Sequence, residues 1–181
     1  MATHKLIAAP VGLQPGAYVK VAYAGRDQAA TPSADLDLQK AGQGYRIALQ
    51  WTCLNPVKSI EGNTDVWVDA AAVLAPAAPG APWITMGAEN LPVVGALWRA
   101  DREDLYRIDA EGLGSVRREA APEGWRATSK YERGFWTVVF ELDAWPSLRK
   151  QKMIALAVWR GDAQDRGGLK SVSQGWINVE V

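Results

Sequence analysis

Few side chains in this sequence could do chemistry, and they are scattered. Met86 stands before Gly87 in a tryptophan-rich stretch, Thr64 to Asp101, and is one of three methionines in the chain. A thioether on a loop between two apolar segments is placed to point into a cavity. Trp83 and Trp98 flank it, and flat apolar walls suit a flat ligand. Carboxylates occur as Asp65 and Asp69, four apart, and as a cluster of Asp101, Glu103 and Asp104. Two of these could serve hydrolysis, but charges at strand ends and turns are ordinary, which is the preferred reading. Lys170 lies between Gly167-Gly168-Leu169 and Ser171-Val172-Ser173, where a solvated loop charge is the simple expectation.

Other chemistries are narrowed by scarcity. The chain has one cysteine, Cys53, and one histidine, His4. A disulfide or a CxxCH haem attachment within the chain is excluded, and so is a bis-histidine metal site. A histidine-based triad in the core is not expected. Cys53 falls on the apolar face of a strand and reads as a small buried hydrophobe. The charge is balanced, with 20 basic and 20 acidic residues. That disfavours nucleic acid or an anionic membrane surface as the main partner. No apolar run approaches the roughly 20 residues of a membrane span. Met1 to Gly16 carries no convincing signal peptide. The chain is therefore expected to be unexported, already processed, or exported with a partner.

The elements that would position these residues are strands. The 181 residues suffice for one domain with a full core, preceded by an arm over residues 1–16. Alternating patterns mark Gly16–Gly25, Gly44–Leu54, Asp104–Ala110, Gly124–Tyr131 and Gly134–Leu142 as strands. Thr64–Leu74, Leu91–Ala100, the almost wholly apolar Lys152–Trp159, and Lys170–Val181 read as further strands. Residues 26–43 read as a loop, with room for a short strand. Asp143–Lys150 reads as a helical turn. Eight or nine short strands without a long amphipathic helix predict an all-β fold: an antiparallel, immunoglobulin-like β-sandwich with short helical turns in loops. Of the nine tryptophans, Trp51, Trp136 and Trp159 sit within strands and are expected in the core. A tryptophan-rich sandwich also fits a carbohydrate-binding module, which is the alternative reading.

Seven pieces of the chain, in order, match a known pattern: YRIALQW at 45–51, DVWVDAAAVLAP at 65–76, WITMG at 83–87, VVGALWRAD at 93–101, GFWTVVFELD at 134–143, IALAVWRGD at 154–162 and GGLKSVSQGWINVEV at 167–181. Together they resemble the haem b-binding gamma subunits of the ethylbenzene dehydrogenase and dimethyl sulfide dehydrogenase group of molybdenum enzymes. The resemblance implies a β-sandwich that holds one non-covalent haem b, with Met86 and Lys170 as axial ligands of the iron; Trp83 and Trp98, read above as flat apolar walls, are the other expected contacts of the cofactor. It implies a non-catalytic electron-transfer subunit. Its partners would be an Fe–S beta subunit, a molybdopterin alpha subunit, and an external cytochrome or other carrier. It also implies a periplasmic location; without a visible export signal, a cytoplasmic one stays open.

Overall fold

The computed structural model describes residues 1–13, 24–62 and 64–180. Among them are twelve strands and one short α-helix: β1 (Ala2–Ala8), β2 (Ser33–Ala41), β3 (Gly44–Thr52), β4 (Ala70–Pro76), β5 (Val93–Arg99), β6 (Tyr106–Ala110), β7 (Arg117–Ala120), β8 (Trp125–Glu132), β9 (Phe135–Leu142), α1 (Pro146–Gln151), β10 (Met153–Trp159), β11 (Ser171–Ser173) and β12 (Ile177–Asn178). All pairings are antiparallel, in the order β7-β6-β5-β4-β10-β11-β1-β2-β3-β9-β8, with β12 added on β10.

One strand turns this sheet into two layers. Ala2–Lys5 of β1 pairs with β2, while Leu6–Ala8 pairs with β11. A strand that changes partners midway makes the corner of a sandwich. The segment expected to be an N-terminal arm thus contains the strand that joins the layers. The predicted strand at Gly16–Gly25 falls almost wholly outside the described residues.

Between the layers lies the main core. Ile47, Leu49 and Trp51 of β3 and Val138 and Phe140 of β9 meet Ala71 and Val73 of β4, Trp98 of β5, and Ile154 and Leu156 of β10. The strict alternation of β3 and β9 supplies one wall, as period-two patterns do. Trp51, Trp98 and Trp136 form its aromatic centre, with ring centroids 5.0 Å apart for Trp98–Trp136 and 6.1 Å for Trp51–Trp98. Trp51 and Trp136 are in the core, as expected from their strands.

A second apolar cluster covers the outer face of the β4/β5/β10 layer. It contains Ala70, Ala72 and Leu74 of β4, Leu97 of β5, Ile108 of β6, Ala157 of β10 and Val172 of β11. Every residue of β4 is buried, because both of its faces are covered. The cover over the outer face comes from the 77–92 loop and the chain around 164–176, and these two segments carry Met86 and Lys170.

The remaining sequence expectations are mostly met to within a few residues. Residues 33–41 form a full nine-residue strand where a loop with room for a short strand was expected, and β7 has no counterpart in the sequence reading. Lys170–Val181 divides into β11 and β12. The strand expected over Thr64–Leu74 begins only at Ala70. The helical turn after Trp145 is α1, which buries Leu148 and stops at Lys152 in a left-handed conformation (φ 52°).

Candidate functional site: a methionine and a lysine over an alanine floor

The outer cluster is shallow where its side chains are small. Cross-strand register places Ala72 of β4 beside Ala157 of β10, and Ala157 beside Val172 of β11. Ala155 lies beside Leu74. Alanines there leave a recess above the sheet. Two clefts open over it, with room of about 40 and 240 Å³. Met86, Ile108, Leu113, Trp159 and Lys170 line both. Trp83 and Trp176 wall the first, Arg118 the second.

Met86 is held in an uncommon conformation. Its φ is +56°, a left-handed geometry that costs a non-glycine residue about 1 kcal/mol or more. The surrounding turn maintains it. Met86 N–H donates to the Trp83 carbonyl at 3.1 Å, Gly87 N–H to the Pro82 carbonyl at 2.8 Å, and Gly112 N–H to the Met86 carbonyl at 3.0 Å. Gly87 is obligatory: at φ +87°, a Cβ would lie 2.7 Å from the Leu91 carbonyl oxygen and 2.9 Å from that of Ala110. The Met-Gly pair is thus a tight turn clamped against β6, with the thioether over the recess.

Lys170 enters from the opposite side. Its carbonyl accepts from Ala9 N–H at 2.9 Å, and Ser171 behind it pairs with Ala8 of β1. The side chain runs inward, and its Nζ lies 3.5 Å from Met86 Sδ, to which it donates. It also sits 5.1 Å from the centroid of the Trp159 ring, a cation–π distance. No carboxylate makes an ion pair with it among the described residues. The residue is half-buried overall, but its amine end is enclosed. Burial, aided by the positive charge of Arg118, pushes its pKa down from 10.5 to about 8. This is not the solvated loop charge of the simple expectation. The pair was 84 residues apart in sequence and is in contact in the fold.

A metal between these two atoms is a reasonable fit. Met86 Sδ and Lys170 Nζ, 3.5 Å apart, end two long, unbranched side chains that could part to hold a metal ion between them. The donor set is a soft thioether and an amine already inclined to lose its proton. No group of three or more His, Cys, Asp or Glu side chains able to hold a metal occurs among the described residues.

Of the predicted site residues, Met86, Lys170 and Trp83 come together and Trp98 does not. Trp98 is 3% exposed and points into the inter-sheet core, while its neighbour Leu97 faces the recess. Adjacent residues of a strand face opposite ways, so Trp98 cannot wall the Met86 cleft. Trp159, expected in the core, instead faces the cleft, where its Nε1–H donates to the Gly167 carbonyl at 3.0 Å. Trp176 was missed; its Nε1–H donates to the Ala81 carbonyl at 2.8 Å and fixes the 77–92 loop against the C-terminal segment. The signal for the recess was present in β10, where Ala155 and Ala157 alternate with Ile154, Leu156 and Val158. That is one face of small residues and one of large.

The carboxylates have structural roles or none. Asp69 is fully buried and accepts hydrogen bonds from Val57 N–H (2.9 Å), Trp136 Nε1–H (2.8 Å) and Gly161 N–H (2.8 Å), with Cys53 Sγ at 3.6 Å. It ties the two layers together. Asp65 is exposed, and Asp101 forms a bidentate pair with Arg99. Cys53 is buried; burial first, then the charge of Asp69, pushes its thiol up to about 12.

A scan against protein-family models finds no match. The chain is 34% identical over 139 residues, 71% of its length, to a protein of Haloferax mediterranei named as a respiratory nitrate reductase haem subunit. The match takes in 49% of that protein, so the chain spans about half the length of the curated relative. No helix among the described residues is long and apolar enough to cross a membrane.

Proposed function

We propose that the chain is a haem subunit of a respiratory-type oxidoreductase complex, and more narrowly a haem b electron-transfer subunit with Met86 and Lys170 as the axial ligands. One observation carries the reading: an enclosed lysine amine, without a carboxylate partner among the described residues, meets a thioether inside a tryptophan-walled apolar cleft. The name of the Haloferax relative supports the coarser statement, and the ordered motifs support the finer one. The finer reading places the chain with the gamma subunits of the ethylbenzene and dimethyl sulfide dehydrogenase group. An Fe–S subunit and a molybdopterin subunit would be its partners, and an external carrier its exchange partner. A periplasmic location belongs to the same proposal.

When bound, haem supplies a one-electron ferric/ferrous couple. The protein's part follows from its own residues. Lys170 must present a neutral amine to a metal, and the enclosing groove lowers the cost of removing that proton. Met86 offers a weak, soft donor of the kind that raises haem potentials. Held by Met86 and Lys170 in addition to its own ring nitrogens, the haem iron would have no position left for substrate, which suits electron relay and not catalysis. Trp83, Trp159 and Trp176 exclude water from the apolar body of the cleft. A sugar site would need hydrogen-bond donors and acceptors along the cleft, and Lys170 with Arg118 are the main polar groups there.

The test is an absorption spectrum. The full chain titrated with hemin should give a low-spin complex with sharp α and β bands on reduction. A chain that stays colourless after haem supplementation and binds an oligosaccharide would overturn the reading in favour of a carbohydrate-binding module.

A further inference from the structure

The groove has one charged end. β7 is the edge strand of the layer, and its register sets Arg118 opposite Ile108 of β6, which lies opposite Gly95 of β5, then Leu74 of β4 and Ala155 of β10. These five positions form a single cross-strand row on the outer face, running from the alanine floor to the edge. Arg118 is therefore on the groove's own face. It lines the cleft shared by Met86 and Lys170, and also the neighbouring cleft bounded by Trp67 and Trp159.

Arg118 makes no ion pair among the described residues, although paired arginines surround it. Arg107 on the adjoining strand is bidentate with Asp109, Arg99 with Asp101, and Arg160 pairs with Asp162. Edge strands commonly carry charge against unwanted pairing, and that accounts for Arg117 and Glu119. It does not account for a guanidinium without an ion pair among the described residues that lines the same apolar recess as Met86 and Lys170. One guanidinium at the end of an apolar groove calls for a ligand with an apolar body and an anionic group at that end. Guanidinium is the side chain best matched to carboxylate, in a bidentate fork.

Resting on the haem reading above, we infer that Arg118 recognises a carboxylate of the tetrapyrrole and fixes which edge of it lies at the β7 end of the groove, the other edge lying between Trp83 and Trp176. Arg118 is then a positioning residue for the ligand and not an axial donor.

The experiment compares hemin with its dimethyl ester, which keeps the ring and iron but removes both negative charges. The full chain, R118A and R118K are each titrated and read by the absorption spectrum and by quenching of tryptophan fluorescence. Wild type should bind hemin about tenfold or more tighter than the ester. R118A should lose most of that preference by weakening hemin binding while leaving the ester unchanged, and R118K should restore part of it. The inference is overturned if wild type binds both forms alike, if R118A keeps the full preference, or if it weakens both forms equally. Failure of wild type to form a low-spin complex with either form would instead remove the haem reading, and this inference with it.

Discussion

Lys170 Nζ stands 3.5 Å from Met86 Sδ, on the outer face of a sheet whose inner face holds the main core. Neither residue is in the layer itself: each is delivered by a covering segment, the methionine on a strained turn and the lysine just before β11. The contact closes a groove floored by alanines and walled by tryptophans.

Removing either side chain should open the site to external ligands. For Met86→Ala or Lys170→Ala loaded with haem, carbon monoxide should bind the reduced form readily, with affinity raised by an order of magnitude or more over wild type. Unchanged spectra in both variants would refute these ligands without refuting haem binding. Substitution of His4 should leave the spectrum as it is.

The lysine also makes stability depend on pH. Its pKa is about 8 in the folded chain, against 10.5 for an unburied lysine. Below pH 8 both states carry the proton, and the fold bears the cost of enclosing it. Between about 8 and 10.5 the unfolded chain holds more protons, so the haem-free protein should gain stability as pH rises through that window. The gain is at most about 3 kcal/mol. Urea midpoints across pH 7 to 11 measure it, and Lys170→Met should flatten this contribution and raise stability at pH 7. A wild-type slope retained in Lys170→Met would assign it to another group.

Gly87→Ala tests the turn that presents the thioether. The new Cβ would press on two backbone carbonyls, of Leu91 and Ala110, which belong to elements that cannot yield cheaply. A loss of about 1–3 kcal/mol is expected from the left-handed φ and the contact together. Haem affinity should fall beyond what the stability loss explains, because Met86 moves with the turn. A variant with wild-type midpoint and spectrum would show that the turn has slack.

Asp69 is expected to be structural and not catalytic. Asp69→Ala leaves Trp136 Nε1–H, Val57 N–H and Gly161 N–H without their acceptor, a loss of about 3 kcal/mol or more. Asp69→Asn should lose less. In the native protein Cys53 should resist thiol reagents near pH 8, becoming reactive only on unfolding or in Asp69→Ala. A rapidly labelled native thiol, or an Asp69→Ala protein of wild-type stability, would contradict this account.

Much of the architecture was legible because β3 and β9 alternate strictly: Ile47, Leu49 and Trp51 on one, Trp136, Val138 and Phe140 on the other. One buried face and one less buried face leave a period of two in the residues. β4 and β5 carry no such contrast, since AAAVLAP and VVGALWR are apolar on both faces. For such strands the pattern names a strand but not which side meets the core.

That ambiguity explains the division of the site. From residue types and order alone came an all-β chain and a scarcity of histidine and cysteine; the pairing of Met86 with Lys170 came from the family resemblance. The tertiary structure decided that Trp98 turns inward while Leu97 turns out, that Trp159 and Trp176 wall the groove, and that Arg118 ends its floor row. It also decided that Lys170 is enclosed and not solvated. Each of these depends on register between strands distant in sequence and on which segments cover a sheet face. A one-residue alternation sends neighbouring side chains to opposite environments, and only long-range packing says which environment is which.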